Sequence, residues 1–132
     1  MRAATLLQDP ESSACREAES PSERNACASA KAAAAQSELD SVLEAIRTLY
    51  VEDALFLASL RESQRAWEAY RLAQVPMRYP YMSEPGYYGP GHRMCLAAYK
   101  ETLTRKRISE LQLWLSEGGK DDGCAGSVKQ AP

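Results

Sequence analysis

His92 and Cys95 stand three residues apart, a spacing that sets both on one helical face, where a thiol and an imidazole would form a nucleophile and its base. That chemistry also needs a group to orient the imidazole, and none is recognisable. His92 is the single histidine. The four cysteines, Cys15, Cys27, Cys95 and Cys124, are an even number without a Cys-x-x-Cys pair. In a small chain this favours disulfides and an oxidising compartment, which takes thiols away from catalysis. His92, Cys95 and Cys124 lack the spacing of a zinc site, so no metal or other cofactor is expected. No Ser–His–Asp set, glycine-rich phosphate loop or strong carboxylate pair stands out. These residues do not read as an enzyme.

Binding chemistry is better represented. Residues 75–93, VPMRYPYMSEPGYYGPGHR, hold four of the seven tyrosines, four of the seven prolines and three of the seven glycines. Tyrosine offers a large contact area with two side-chain torsions and a hydroxyl that tolerates a wet rim. Prolines lower the entropy a loop loses on binding, and glycines let backbone approach a partner closely. Arg78, Tyr79, Tyr81, Tyr87, Tyr88, His92 and Arg93 are the candidate partner-binding residues. The packing alternative is that the loop lies across thin helices and supplies core that alanines do not.

The elements around this loop read as helix. Alanine, leucine, glutamate and arginine dominate 132 residues, enough for one domain with a modest core. Residues 1–19 read as an extended leader. Ser20, Pro21 and Glu23 form a helix start, with a capping serine, a proline at the first turn and a glutamate three positions on. A first helix follows, alanine-faced in its first half, so a neighbour must approach closely there. Its apolar set includes Ala32, Ala35, Leu39, Val42, Ile46 and Leu49. A break is expected between Tyr50 and Asp53. The alternative, one helix over residues 20–74, would expose an apolar stripe and call for a homodimer. The second helix is expected to end before Pro76. The third begins near Gly91 and stops at Gly118. The architecture is thus all-α: an antiparallel helical hairpin plus a third helix over residues 20–117, with a connecting loop at 75–92 and a flexible tail over 118–132.

Two arginines fall within apolar stripes. Leu57, Leu60, Gln64, Trp67, Arg71 and Gln74 share one face of the second helix. Leu96, Tyr99, Leu103, Arg107, Leu111 and Trp114 share one face of the third. A charge among core residues must be paired or must snorkel to water. Gln64, Arg71 and Arg107 therefore read as a structural polar network, with Glu68, Glu110, Asp40 and Glu44 as acceptors. Trp67, Tyr70, Leu103 and Leu111 are assigned to the core. The cluster TRKR at 104–107 spreads around its helix as a solvated face. With a net charge of −2, it argues against a nucleic-acid partner. No apolar run approaches the ~18 residues of a membrane span.

The same segments carry a family resemblance. SQRAWEAYR at 63–71 and LTRKRISEL at 103–111 resemble the two signature segments of the LprI-like lysozyme inhibitor family. Gln64, Arg65, Trp67, Tyr70 and Arg71 match the central segment, and Thr104, Arg105, Arg107 and Leu111 match the last. Leu39-Asp40 stands where the family has leucine–asparagine, and Cys15 and Cys27 match its first cysteine pair. The resemblance implies a Cys15–Cys27 disulfide. It departs at Val75 and Leu72, where the family has cysteine and aspartate, so Cys95 loses its family partner. Cys124 is an extra cysteine and suggests a substitute Cys95–Cys124 bridge, which the length of the third helix strains.

By this resemblance the protein is an exported, periplasmic or secreted inhibitor of lysozyme-type muramidases, acting by occlusion of the substrate cleft. The start MRAATLL fits an added Met before a mature terminus, and SSAC lacks the look of an acylation signal. Aromatic and cationic side chains suit a cleft with acidic catalytic groups and a sugar-binding floor. The rival readings are an envelope module for another partner, such as a toxin or cell-wall component, and a structural helical dimer.

Overall fold

A computed structural model of the chain describes residues 15–116 and 123–129. Three long helices carry it: α1 (Pro21–Leu49), α2 (Ala54–Arg78) and α3 (His92–Leu111), the last followed by a 3-10 turn over Gln112–Trp114. No strand occurs among the described residues. Ser20 caps α1, its hydroxyl accepting from the Glu23 N–H at 3.1 Å, with Pro21 in the first turn. Tyr50 ends α1, and Asp53 opens α2 by accepting from the Phe56 N–H at 3.0 Å. The break is therefore real, and a single continuous helix is excluded.

α1 and α3 run parallel, with α2 antiparallel to both. At one end Cys15, Ala28 and Met94 form a small cluster, joined by Cys27, Cys95 and Ala97. At the other, Leu39, Val42, Leu43, Ile46 and Tyr50 of α1 pack with Leu60 of α2 and with Ile108 and Leu111 of α3. Ala28 and Ala35 are buried, which accounts for the alanine-rich start of α1: small side chains let α3 lie close. The disulfide Cys15–Cys27 staples the segment before α1 to its second turn, with alpha carbons 5.5 Å apart.

The structure corrects several expectations. α2 continues through Pro76 to Arg78. Proline there forfeits the bond to the carbonyl of exposed Leu72 and crowds it, but the Tyr79 N–H still donates to the Val75 carbonyl at 2.9 Å and closes the last turn. The loop is accordingly shorter than expected and covers residues 79–91. α3 ends at Leu111, because its last turn tightens and sets Trp114 against the main core. Gly118 lies outside the described residues.

No Cys95–Cys124 disulfide forms. Cys95 is a half-buried thiol beside Arg16, whose Nη2 lies 4.0 Å from its Sγ. Residues 127 and 129 sit at the opposite end of α3, where the Tyr50 hydroxyl donates to the Ser127 carbonyl at 2.8 Å and accepts from the Lys129 N–H at 3.2 Å. From Cys95 to Leu111 the helix rises about 24 Å. Tyr70, expected in the core, is 52% exposed. It sits one position from Arg71, and a helix turns by about 100° per residue, so the two side chains leave on different faces.

Candidate functional site

α2 fully buries a single residue, Leu60; Phe56, Leu57 and Trp67 pack partly buried against the main core, and the rest of its attachment is polar. The Arg71 guanidinium bridges three helices. It donates to Gln36 Oε1 of α1 at 2.8 Å, to Thr104 Oγ1 of α3 at 3.1 Å and to Glu68 Oε1 of its own helix at 2.7 Å. Its carbon lies 4.6 Å from the centre of the Trp67 ring, a cation–π contact that also shields the charge. Arg107 serves the same seam one level away, donating to Gln64 Oε1 and Ser63 Oγ, each at 3.0 Å. Its ion pair to Glu110 is longer, 3.6 Å. Glu44 instead pairs with Arg47, and Asp40 accepts from Gln36. The seam holds α2 against the α1·α3 pair by satisfied hydrogen bonds, each of which fixes register as well as distance.

The seam delivers the C-terminal end of α2 to the tyrosine loop. Residues 79–91 are a succession of four-residue turns: Met82, Glu84, Tyr87, Gly89 and His92 each donate a backbone N–H to the carbonyl three positions back. Gly86 and Gly89 take positive φ, 72° and 84°, which lets the chain reverse there. The rings then divide into two groups. Tyr79, Tyr88, His92 and Tyr99 form a half-buried cluster: Tyr79 meets Tyr88, His92 and Tyr99 edge-on, and Tyr88 stacks on His92 at 5.1 Å. Arg78 lies 4.4 Å over Tyr99, and the Tyr99 hydroxyl reaches Gln74 at 3.2 Å.

Tyr81 and Tyr87 form the outer group, 48% and 55% exposed, with ring centres 4.7 Å apart. Tyr88 joins the groups, its hydroxyl accepting from the Tyr81 N–H at 3.0 Å while its ring meets Tyr87 edge-on. Met77 and Met82 are exposed on the same end, and so is Arg93. The result is an apolar, hydroxyl-bearing tip supported from behind by packed aromatic rings. His92 contributes packing: its Nδ1 is buried without a hydrogen-bond partner between Tyr79 and Tyr88. No group of three or more metal-ligating side chains converges among the described residues.

The family model for lysozyme inhibitor LprI matches residues 14–111. The chain belongs to the LprI lysozyme inhibitor family. Comparison with curated proteins and with solved structures gives no match. The LprI match takes in the Cys15–Cys27 disulfide, all three helices, both arginines of the seam and the tyrosine tip. No described helix of this LprI chain is long and apolar enough to cross a membrane.

One buried group escaped the sequence. Glu101 is 1% exposed and pairs with Arg105 at 2.8 Å, while Arg105 reaches Glu38 of α1 at 3.0 Å. The signal was present in the i,i+4 spacing of Glu101 and Arg105 and in the 3–4 recurrence of Met94, Ala97, Glu101, Thr104, Ile108 and Leu111. That face of α3 packs on α1. The leucine-bearing face picked from the pattern instead includes Tyr99 and Arg107, the side chains that turn toward α2.

Proposed function

We propose that this LprI-family protein inhibits a lysozyme-type muramidase by inserting the tip formed by Tyr81 and Tyr87 into the enzyme's substrate cleft. The observation that carries this reading is the division of the tyrosines. Of the four loop tyrosines, Tyr81 and Tyr87 are exposed, and Tyr88, backed by Tyr79, holds them in place. A preorganised aromatic tip loses little entropy on binding, and its rings suit a floor built to hold sugar rings. Arg78 and Arg93, at the two ends of the loop, are exposed positive charges, and the acidic catalytic pair of a muramidase supplies their complement. The protein performs no chemistry in this mechanism; it excludes substrate.

Export to the periplasm or the outside follows from the same reading. The disulfide and the family both support it, since a Cys15–Cys27 bridge persists where thiols are oxidised.

The experiment is hydrolysis of peptidoglycan by a chicken-type lysozyme with increasing amounts of the oxidised protein, beside Tyr87→Ala and Tyr81→Ala. Inhibition near stoichiometric ratios, weakened at least tenfold by either variant with the helical signal unchanged, is expected. Undiminished inhibition by both variants would remove the tip from the mechanism. No inhibition of chicken-, goose- or invertebrate-type enzymes would sink the inhibitor reading and direct the search to another envelope partner.

A further inference from the structure

The outer face of α2 carries a second pattern, independent of the seam and of the tyrosine tip. Leu55, Ala58, Glu62, Arg65, Ala69 and Leu72 recur at alternating intervals of three and four and are all exposed. Leu55 and Leu72, at 84% and 72%, are the most exposed large apolar side chains of the described residues. This 3–4 recurrence is the spacing of a coiled-coil seam. It lies opposite the inner face, where Leu60 and Trp67 meet the core.

The order of these residues is self-complementary. Read from either end it runs leucine, alanine, charge, charge, alanine, leucine. A two-fold axis between Ser63 and Gln64 sets Leu55 against Leu72 of a second copy, Ala58 against Ala69, and Glu62 against Arg65. Alternate seam positions face each other in these layers, as an antiparallel two-stranded coil requires.

We infer that two copies of this chain pair antiparallel through the outer face of α2. The charges select both partner and direction. Glu62 and Arg65 already bond within one helix at 2.8 Å, so the axis would bring two such pairs into a ring of four alternating charges. Arg61 makes no ion pair among the described residues, and the pairing brings it beside Glu68 of the second copy. Flanking positions are small, with Ser59, Ala66 and Ala73, which permits close approach. A parallel pairing would instead oppose Glu62 to Glu62 and Arg65 to Arg65, which like charges disfavour. The seam from Leu55 to Leu72 is about 26 Å long and ends in leucine layers, which makes the pairing concentration-dependent. It uses none of the tip residues, so it stands or falls separately from the inhibitor reading.

Sedimentation equilibrium of the full oxidised chain, from micromolar to millimolar concentration, tests the pairing. The mass is expected to rise from 14.6 kDa toward twice that value. Leu72→Glu and Glu62→Arg, both at exposed positions, are expected to hold the protein at the monomer mass with an unchanged helical signal. The double exchange Glu62→Arg with Arg65→Glu restores opposite charges across the axis and is expected to restore the dimer. A monomer mass at every concentration would overturn the proposal. So would a dimer that survives Glu62→Arg, or one that the double exchange fails to recover.

Discussion

Arg71 donates to Gln36 across 2.8 Å, and this bond ties α2 to α1. The same guanidinium reaches Thr104 of α3, so one side chain sets the relative height of three helices. Arg71→Ala removes these bonds and leaves Glu68 half-buried without its partner. A loss of about 2 kcal/mol in urea unfolding is expected. Arg71→Lys should rescue little, because an ammonium lacks the planar fork that serves three acceptors at once. Full rescue by lysine would show that charge alone matters here.

Tyr50→Phe keeps the ring stacked on Phe56 at 4.2 Å and removes the hydroxyl that holds Ser127 and Lys129. About 1 kcal/mol should be lost. Hydrogen exchange at residues 127–129 should accelerate while exchange in α1 and α3 stays near wild type. Equal exchange in both proteins would mean that these bonds do not hold the tail in solution.

Gly86→Ala introduces a side chain at φ 72° with nothing within 4 Å of it, so the cost is conformational and not steric. About 1 to 2 kcal/mol of loop strain is expected, read as faster amide exchange over residues 79–91 with the helices unaffected. Gly91→Ala is the control, since Gly91 has φ −88° and the same open surroundings. If the two variants exchange alike, the turn at Gly86 is not what orders the loop.

Cys15→Ser with Cys27→Ser opens a bridge that spans 12 positions and is worth about 3 kcal/mol by loop-closure estimates. The midpoint of thermal unfolding should fall, and a reductant should lower the wild type to the same value. A wild type indifferent to reduction would assign the stability of that end to packing of Ala28 and Met94 alone.

The helices were legible because their punctuation is chemical. Ser20, Pro21 and Glu23 announce α1, whereas the start of α2 was legible only as a break between Tyr50 and Asp53, and the Asp53 cap emerged from the structure. Pro76 misled because the bias of the preceding residue away from helix is a tendency, and here the Tyr79 N–H bond to Val75 closes the last turn around the proline. The half-buried arginines were visible as charges within apolar stripes, and their acceptors Glu68 and Glu110 were within one turn. Gln36 and Thr104 were not legible as partners of Arg71, since neutral side chains on other helices leave no periodic mark. The same applies to α3, where Glu101 and Thr104 interrupt the face that packs on α1 and hide it from a pattern of apolar residues. The alternation of Tyr81 and Tyr87 outside with Tyr79 and Tyr88 inside depends on the turns between them, which composition alone does not specify.

The parallel course of α1 and α3 also bears on how the chain folds. Arg105 and Glu38, which join these helices, are 67 positions apart, whereas α2, the neighbour of both along the chain, contributes one fully buried side chain. The first two helices therefore gain little from meeting, and α1 acquires its apolar partner only after α3 has been made. For a helical protein this is a non-local core, which slows the search for the native state. The Cys15–Cys27 bridge closes a short stretch at one end and does nothing to shorten that search. The last helix completes the core of the first.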